Sequence, residues 1–191
     1  QLESMLERAA KGEDISADFQ AFKQYQIAGE EIDLSAEFSI LQRIFDGVSL
    51  LGDYNDKIKD HTLAQGEVLS AKFISYLLRK RGAEATFADS RHFYVTDSHF
   101  GNAQLVEDSS AKSTIQYFTQ IPKDVTPIVT GFIAANASGE TTTLGRNGSN
   151  YSASILASIL EAEELQNYTH VDGIFTANPE LVPDAKIIRQ L

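Results

Sequence analysis

The spacing of apolar residues changes near Gly82, and that change restricts the chain to few architectures. Before it, apolar residues recur three and four apart with few β-branched runs, as in amphipathic helices. Leu34, Phe38, Leu41, Ile44, Phe45 and Val48 form one stripe, and Val68, Phe73, Ile74, Leu77 and Leu78 form another. The second ends in Arg79–Arg81 and Gly82, where cations in the last turn followed by glycine stop a helix. Gly12–Asp14 and Gly52–Asp56 read as turns. Beyond Gly82, short apolar runs alternate with helical patterns. Ala85–Ala88, Phe93–Thr96 and Gln104–Glu107 read as strands, and Asp108–Phe118 reads as a helix capped by Asp108 or Ser109. Pro127–Ala134 reads as one strand covered on both faces. Asn136–Gly139 turns the chain and Thr141–Leu144 returns as a partner strand. Ser149 or Asn150 caps a helix to about Ala162, and Asn167–Val171 is a further strand. Such alternation predicts an α/β sandwich with a mostly parallel sheet over residues 83–191, joined to a helical subdomain over residues 1–82.

Composition narrows the function. The 191 residues suit one domain, and a hydrophobic share of 42% supports a core. With 27 acidic against 16 basic residues the net charge is −11, which argues against a nucleic-acid partner. The absence of cysteine removes thiolate catalysis, disulfides and cysteine metal sites, and fits a cytoplasmic location. No apolar run reaches the ~20 residues of a membrane span, so no membrane partner is expected. His61, His92, His99 and His170 lack metal-ligand spacing, and Ser149 and Ser152 lack the G-x-S-x-G elbow of a hydrolase. The chain starts at Gln1 rather than Met and reads as a piece of something longer.

The segment Thr141-Thr142-Thr143-Leu144-Gly145-Arg146-Asn147-Gly148-Ser149-Asn150-Tyr151-Ser152-Ala153 carries the most chemistry. It reads as a strand, a turn with two glycines and an arginine, and a helix start rich in small residues. Glycines let backbone approach a ligand, a helix N-terminus offers free N–H groups to an anion, and Arg146 presents a planar charged fork. A plain tight turn with a solvated arginine is the competing reading. Neither the P-loop nor the dinucleotide-binding glycine spacing is present.

This segment resembles the aspartokinase branch of the amino acid kinase family, whose Leu-Gly-Arg-Gly/Asn-Gly-Ser-Asp-x-Ser/Thr-Ala signature is similar to Leu144–Ala153. Further landmarks follow in order: Gly66-Glu67 with Ser70-Ala71, similar to a Gly-Glu motif opening a helix; Gly131-Phe132-Ile133; and Thr169–Pro179, similar to the family's nucleotide loop. Asn147 and the stretch Phe45–Gly52 are most like the bifunctional aspartokinase–homoserine dehydrogenases. The resemblance implies a three-layer α/β/α sandwich, incomplete at both ends in this chain. It implies phosphoryl transfer from ATP, with Mg²⁺, to the side-chain carboxylate of L-aspartate, in a parent that forms homo-oligomers. NADP would enter only through a homoserine dehydrogenase domain of that parent.

Residue by residue, the resemblance implies that Glu67 binds the aspartate ammonium, Arg146 binds the α-carboxylate, and Phe132 and Ser149 line the amino acid pocket. Gly145, Gly148, Thr169, His170 and Phe175 would face the nucleotide, with Phe175 in place of the usual stacking Tyr. On local sequence alone, Glu67 would be a first-turn acid favouring a helix dipole and Phe132 a core residue. Three positions depart from the family. Asn150 stands where an Asp orients the catalytic lysines, His170 replaces an Asp, and Glu180 replaces an Arg. The family's Lys-Phe-Gly-Gly-type start and downstream Phe-Gly-Ala-Lys-type segment would lie outside the chain, so the chain alone is expected to have little kinase activity. The alternative is a catalytically silent amino acid-binding or regulatory module of the same fold.

Overall fold

The computed structural model describes residues 1–168, 173, 175–188. Four helices come first: α1 (Leu2–Ala10), α2 (Ser16–Ile27), α3 (Ser35–Leu51) and α4 (Asp56–Lys80). Then follow β1 (Ala85–Ala88), a 3₁₀ turn at Ser90–His92, β2 (Val95–Thr96), α5 (Glu107–Phe118), β3 (Thr126–Val129), β4 (Ile133–Asn136), β5 (Thr141–Thr143) and α6 (Gly148–Ile159). No described helix is long and apolar enough to cross a membrane.

The helical layer is closed by Leu6, Phe19, Phe22, Leu34, Leu41, Phe45, Val48 and Leu69, drawn from all four helices and the residue before α3. The Phe19 and Phe45 rings meet edge to face at 5.4 Å, the arrangement the ring quadrupoles favour. Lys72 of α4 pairs with the buried Glu37 of α3. Helix α4 begins sharply because the Asn55 side chain accepts from the Ile58 N–H at 3.0 Å. It stops as expected, with Arg79 and Lys80 in the last turn and Gly82 at φ +86°.

Helix α4 packs on α1, α2 and α3 and also on β1, β3 and β5. Because two layers claim it, its buried residues differ from the sequence stripe. Asp60, Thr62, Ala64, Gln65, Val68, Leu69, Ala71 and Ser75 are buried, while Ile74 is 44% exposed. Small and polar side chains occupy these close contacts, and an apolar-only stripe does not detect them.

Strands β1 and β3 pair in parallel from Ala85↔Thr126 to Ala88↔Val129. Strands β2 and β4 also pair in parallel, and β4 pairs antiparallel with β5 from Ile133↔Thr143 to Ala135↔Thr141. Successive residues of a strand face opposite sides. Ile133 therefore packs with Ala64 and Val68 of α4, while Ala134 joins Phe93, Tyr94, Leu144 and the α5 and α6 residues Tyr117, Phe118, Ile155 and Leu156. The result is the α/β/α layering expected from the sequence.

Several local expectations are corrected. Gln104–Glu107 is not a strand: Leu105 makes one isolated bridge to Thr96, and Glu107 already belongs to α5. Val106, not Asp108 or Ser109, precedes α5, and Glu107 and Asp108 act as first-turn acids. Pro127–Ala134 splits into β3 and β4, because Phe132 adopts φ +68° and breaks the extended run. Helix α6 starts after Asn147 without a side-chain cap, so neither Ser149 nor Asn150 caps it, and it ends at Ile159 rather than Ala162. Asn167 and Tyr168 form no strand, and the rest of that expected strand lies outside the described residues.

Candidate functional site

The site grows from the break between β3 and β4. A non-glycine residue at φ +68° costs about 1–3 kcal/mol and persists only where its surroundings fix it. At Phe132 they do. Its N–H donates to Ser152 Oγ at 3.0 Å, and its carbonyl accepts from the Leu144 N–H at 2.9 Å. Ser152 Oγ in turn donates to the Gly148 carbonyl at 2.8 Å, and the Tyr94 hydroxyl donates to the Ser152 carbonyl at 2.8 Å. The β4 entry is thus bound to the first turn of α6. Two glycines keep this junction tight. A Cβ on Gly131 would stand 3.0 Å from Ser149 Cα, and one on Gly148 would stand 2.7 Å from Phe132 Cδ2.

Between β5 and α6 the chain turns through Gly145 at φ +72° and Asn147 at φ +59°. A Cβ on Gly145 would lie 2.3 Å from Asn102 Oδ1, so the Asn102 side chain abuts this turn. The first turn of any helix leaves N–H groups without intrahelical acceptors. Here no side chain caps them, and Arg146, Ser149 and Asn150 beside them are exposed. Among the described residues Arg146 forms no ion pair. The turn can therefore receive an anion from a guanidinium and from backbone donors together.

Helix α4 carries the acid that the sequence singled out. Glu67 does not open a helix: it is the twelfth of the 25 residues of α4, so the helix-dipole explanation for it falls away. It is half-buried, has no hydrogen-bond or ion-pair partner among the described residues, and burial pushes its carboxyl above the usual carboxylate range. At 100° per residue, Asp60, Ala64, Glu67 and Ala71 share one face of α4. That face packs on the sheet: Asp60 accepts from Thr143 of β5, and Ala64 packs with Ile133 of β4, against which Phe132 also lies. An unpaired acid there is suited to a cationic ligand group.

Three further residues shape the site without a motif to mark them. Asp60 is 1% exposed and accepts from the Gly101 N–H at 2.8 Å, the Thr143 N–H at 3.0 Å and the Thr143 hydroxyl at 2.8 Å. Burial raises its carboxyl, and these hydrogen bonds work against that rise. Its signal was present: an acid seven residues before Glu67 lies on the same helical face. Asn102 and Ser152 act through shape and backbone contacts that sequence spacing does not display.

The predicted nucleotide side is less complete. Phe175 is half-buried and bridges to Ile187. Thr169 and His170 lie outside the described residues. Among the described residues no group of three or more His, Asp or Glu side chains could hold a metal ion.

A three-layer α/β domain with an uncapped helix behind a glycine turn is an arrangement suited to a small anionic ligand. The chain belongs to the amino acid kinase family, which it matches over residues 6–191. It is similar to the bifunctional aspartokinase/homoserine dehydrogenase 1, chloroplastic, of Zea mays, at 33% identity over 172 residues, 86% of this chain and 18% of that protein. The lysine-sensitive aspartokinase 3 of Escherichia coli is 30% identical over 158 residues, 79% of this chain and 35% of that protein. Among solved structures, E. coli aspartokinase III in complex with aspartate and ADP (R-state) matches at TM-score 0.84 and 26% identity, over 98% of this chain and 44% of that one. The same enzyme with lysine and aspartate (T-state) matches at TM-score 0.74 and 27% identity, over the same shares. The chain spans about a fifth of the length of the bifunctional relatives it matches.

Proposed function

We propose that the chain carries the amino acid half of an aspartokinase site, in which ATP phosphorylates the side-chain carboxylate of L-aspartate. Glu67 holds the ammonium, Arg146 the α-carboxylate, and Phe132 and Ser149 line the space between. An aspartate side chain is already ionised at neutral pH, so no general base is needed. One carboxylate oxygen forms a bond to the γ-phosphorus, the bond from that phosphorus to the β–γ bridging oxygen breaks, and ADP leaves with the electron pair. The barrier is anion approaching anion, so orientation and local positive charge are what the protein supplies. At a net charge of −11 that positive charge must be local, and Arg146 with the uncapped first turn of α6 is assigned to supply part of it. Asn150 keeps hydrogen-bonding capacity beside the transfer without a charge. Mg²⁺ would arrive with the nucleotide as part of the substrate. Thr169, His170 and Phe175 are assigned to the nucleotide. A homo-oligomeric parent is part of the same reading.

The observation that carries the reading is Glu67, a desolvated acid with no described partner on the α4 face that packs on the sheet. The test is a hydroxylamine trap on the full-length protein. Aspartate- and ATP-dependent hydroxamate, with ADP released in equal amount, is expected. Stabilisation by aspartate with neither turnover nor a response to ATP would instead identify a silent amino acid-binding module, in keeping with the charge missing at Asn150.

A further inference from the structure

Asp60 is the most deeply buried acid of α4, and its hydrogen bonds come from segments 41 and 83 residues away. A buried carboxylate persists where hydrogen bonds replace its water, so the donors and the acid fix one another. Oδ2 receives the Gly101 and Thr143 N–H groups, and Oδ1 receives the Thr143 hydroxyl. At the same strand residue, the Ala103 N–H donates to the Thr143 carbonyl at 2.8 Å. The loop through Gly101 and Ala103 is thereby held to both Asp60 and Thr143. Asn102, between them, wedges against Gly145, the neighbour of Arg146. Glu67 stands on the Asp60 face of α4, about 10.5 Å further along the axis at 1.5 Å per residue.

We propose that Asp60 is a positioning residue that sets the separation between Glu67 and Arg146. It anchors the helix carrying Glu67 directly to Thr143 and, through Gly101 and Asn102, to the turn carrying Arg146. It touches no substrate itself. A ligand held at both ends depends on that separation, and the nucleotide does not, so loss of the anchor separates the two KM values. The kinetic part of this inference rests on the aspartokinase reading, and the structural part does not.

Asn at position 60 preserves the geometry. Its Oδ1 accepts the two N–H groups, and its Nδ2 donates to the Thr143 hydroxyl, which can turn to accept. Ala preserves nothing. In the full-length protein, Asp60→Ala is expected to raise the KM for aspartate about tenfold or more, with the KM for ATP within about threefold, while Asp60→Asn stays within about threefold on both. Amide exchange of the same variants is expected to show lost protection at Gly101, Thr143 and Gly145–Gly148 in Asp60→Ala, with the Leu41–Val48 turns of α3 unchanged. Should Asp60→Ala fail to fold, Thr143→Val, which keeps the side-chain shape and removes the hydroxyl bond to Asp60 Oδ1, reads the same quantities at smaller amplitude. The proposal is overturned by an unchanged KM for aspartate, by equal rises in both KM values with protection lost evenly through the chain, or by an Asp60→Asn variant as impaired as Asp60→Ala. If the wild type does not phosphorylate aspartate, the kinase reading fails alone. The exchange pattern then decides this one, local loss supporting it and even or absent loss overturning it.

Discussion

Replacing Glu67 by Gln is expected to move affinity and stability in opposite directions. The Glu67 carboxyl is half-buried, finds no described partner, and is raised by burial, so its charge is a burden on the unliganded fold. Gln has nearly the same shape and no charge. The free protein should therefore hold or raise its Tm. The bound aspartate ammonium, however, loses a charge-assisted hydrogen bond worth about 1.5–3 kcal/mol. At about 1.4 kcal/mol per tenfold, the KM for aspartate rises roughly tenfold to a hundredfold while the KM for ATP stays put. Steady-state kinetics at saturating ATP, beside a thermal melt without ligand, gives both quantities. A lowered Tm with unchanged aspartate KM would show that Glu67 serves the fold rather than the ligand, and the reasoning from its missing partner would be refuted.

Other perturbations follow from the same contacts. Ser152→Ala removes the acceptor of the Phe132 N–H and is expected to destabilise by about 1–3 kcal/mol in urea denaturation, with Ser152→Thr closer to wild type. Gly148→Ala places a methyl 2.7 Å from the Phe132 ring; overpacking of about 1–3 kcal/mol, offset by up to about 1 kcal/mol of helix propensity, should lower Tm by a few degrees and weaken aspartate binding. A raised Glu67 carboxyl also fixes a sign in pH. Its neutral form favours the fold below the ordinary carboxylate value near 4.3, and that advantage is lost as pH rises through the higher folded value, whereas aspartate binding needs the ionised form. The KM for aspartate should thus climb on acidification at a pH above about 4.3, and Glu67→Gln should flatten that limb of the KM–pH profile.

The sequence made the strands around β1 and β5, the helix stop at Gly82 and the Gly145–Gly148 turn legible, because glycine and charge mark local conformation directly. It did not reveal the break at Phe132. A run of apolar residues from Pro127 to Ala134 carries no mark of a left-handed residue, and the conformation is imposed from a distance by Ser152 and Leu144. The α4 stripe does not predict which residues are buried for a related reason: a helix between two layers is buried by small and polar residues that no apolar periodicity counts. Glu67 was found by resemblance, but its place in mid-helix, and Asp60 two turns before it, became visible only when Thr143 and Gly101 were brought alongside.

The link Thr130-Gly131-Phe132 has a length that cannot vary. Ile133 and Ala134 face opposite layers, and both are fully buried. Adding or deleting a single residue in this link would exchange their sides, driving the isoleucine toward Tyr94 and leaving a methyl where α4 needs a branched chain. Homologous chains should therefore keep this link at three residues, and insertions should gather instead in the exposed bend at residues 137–139.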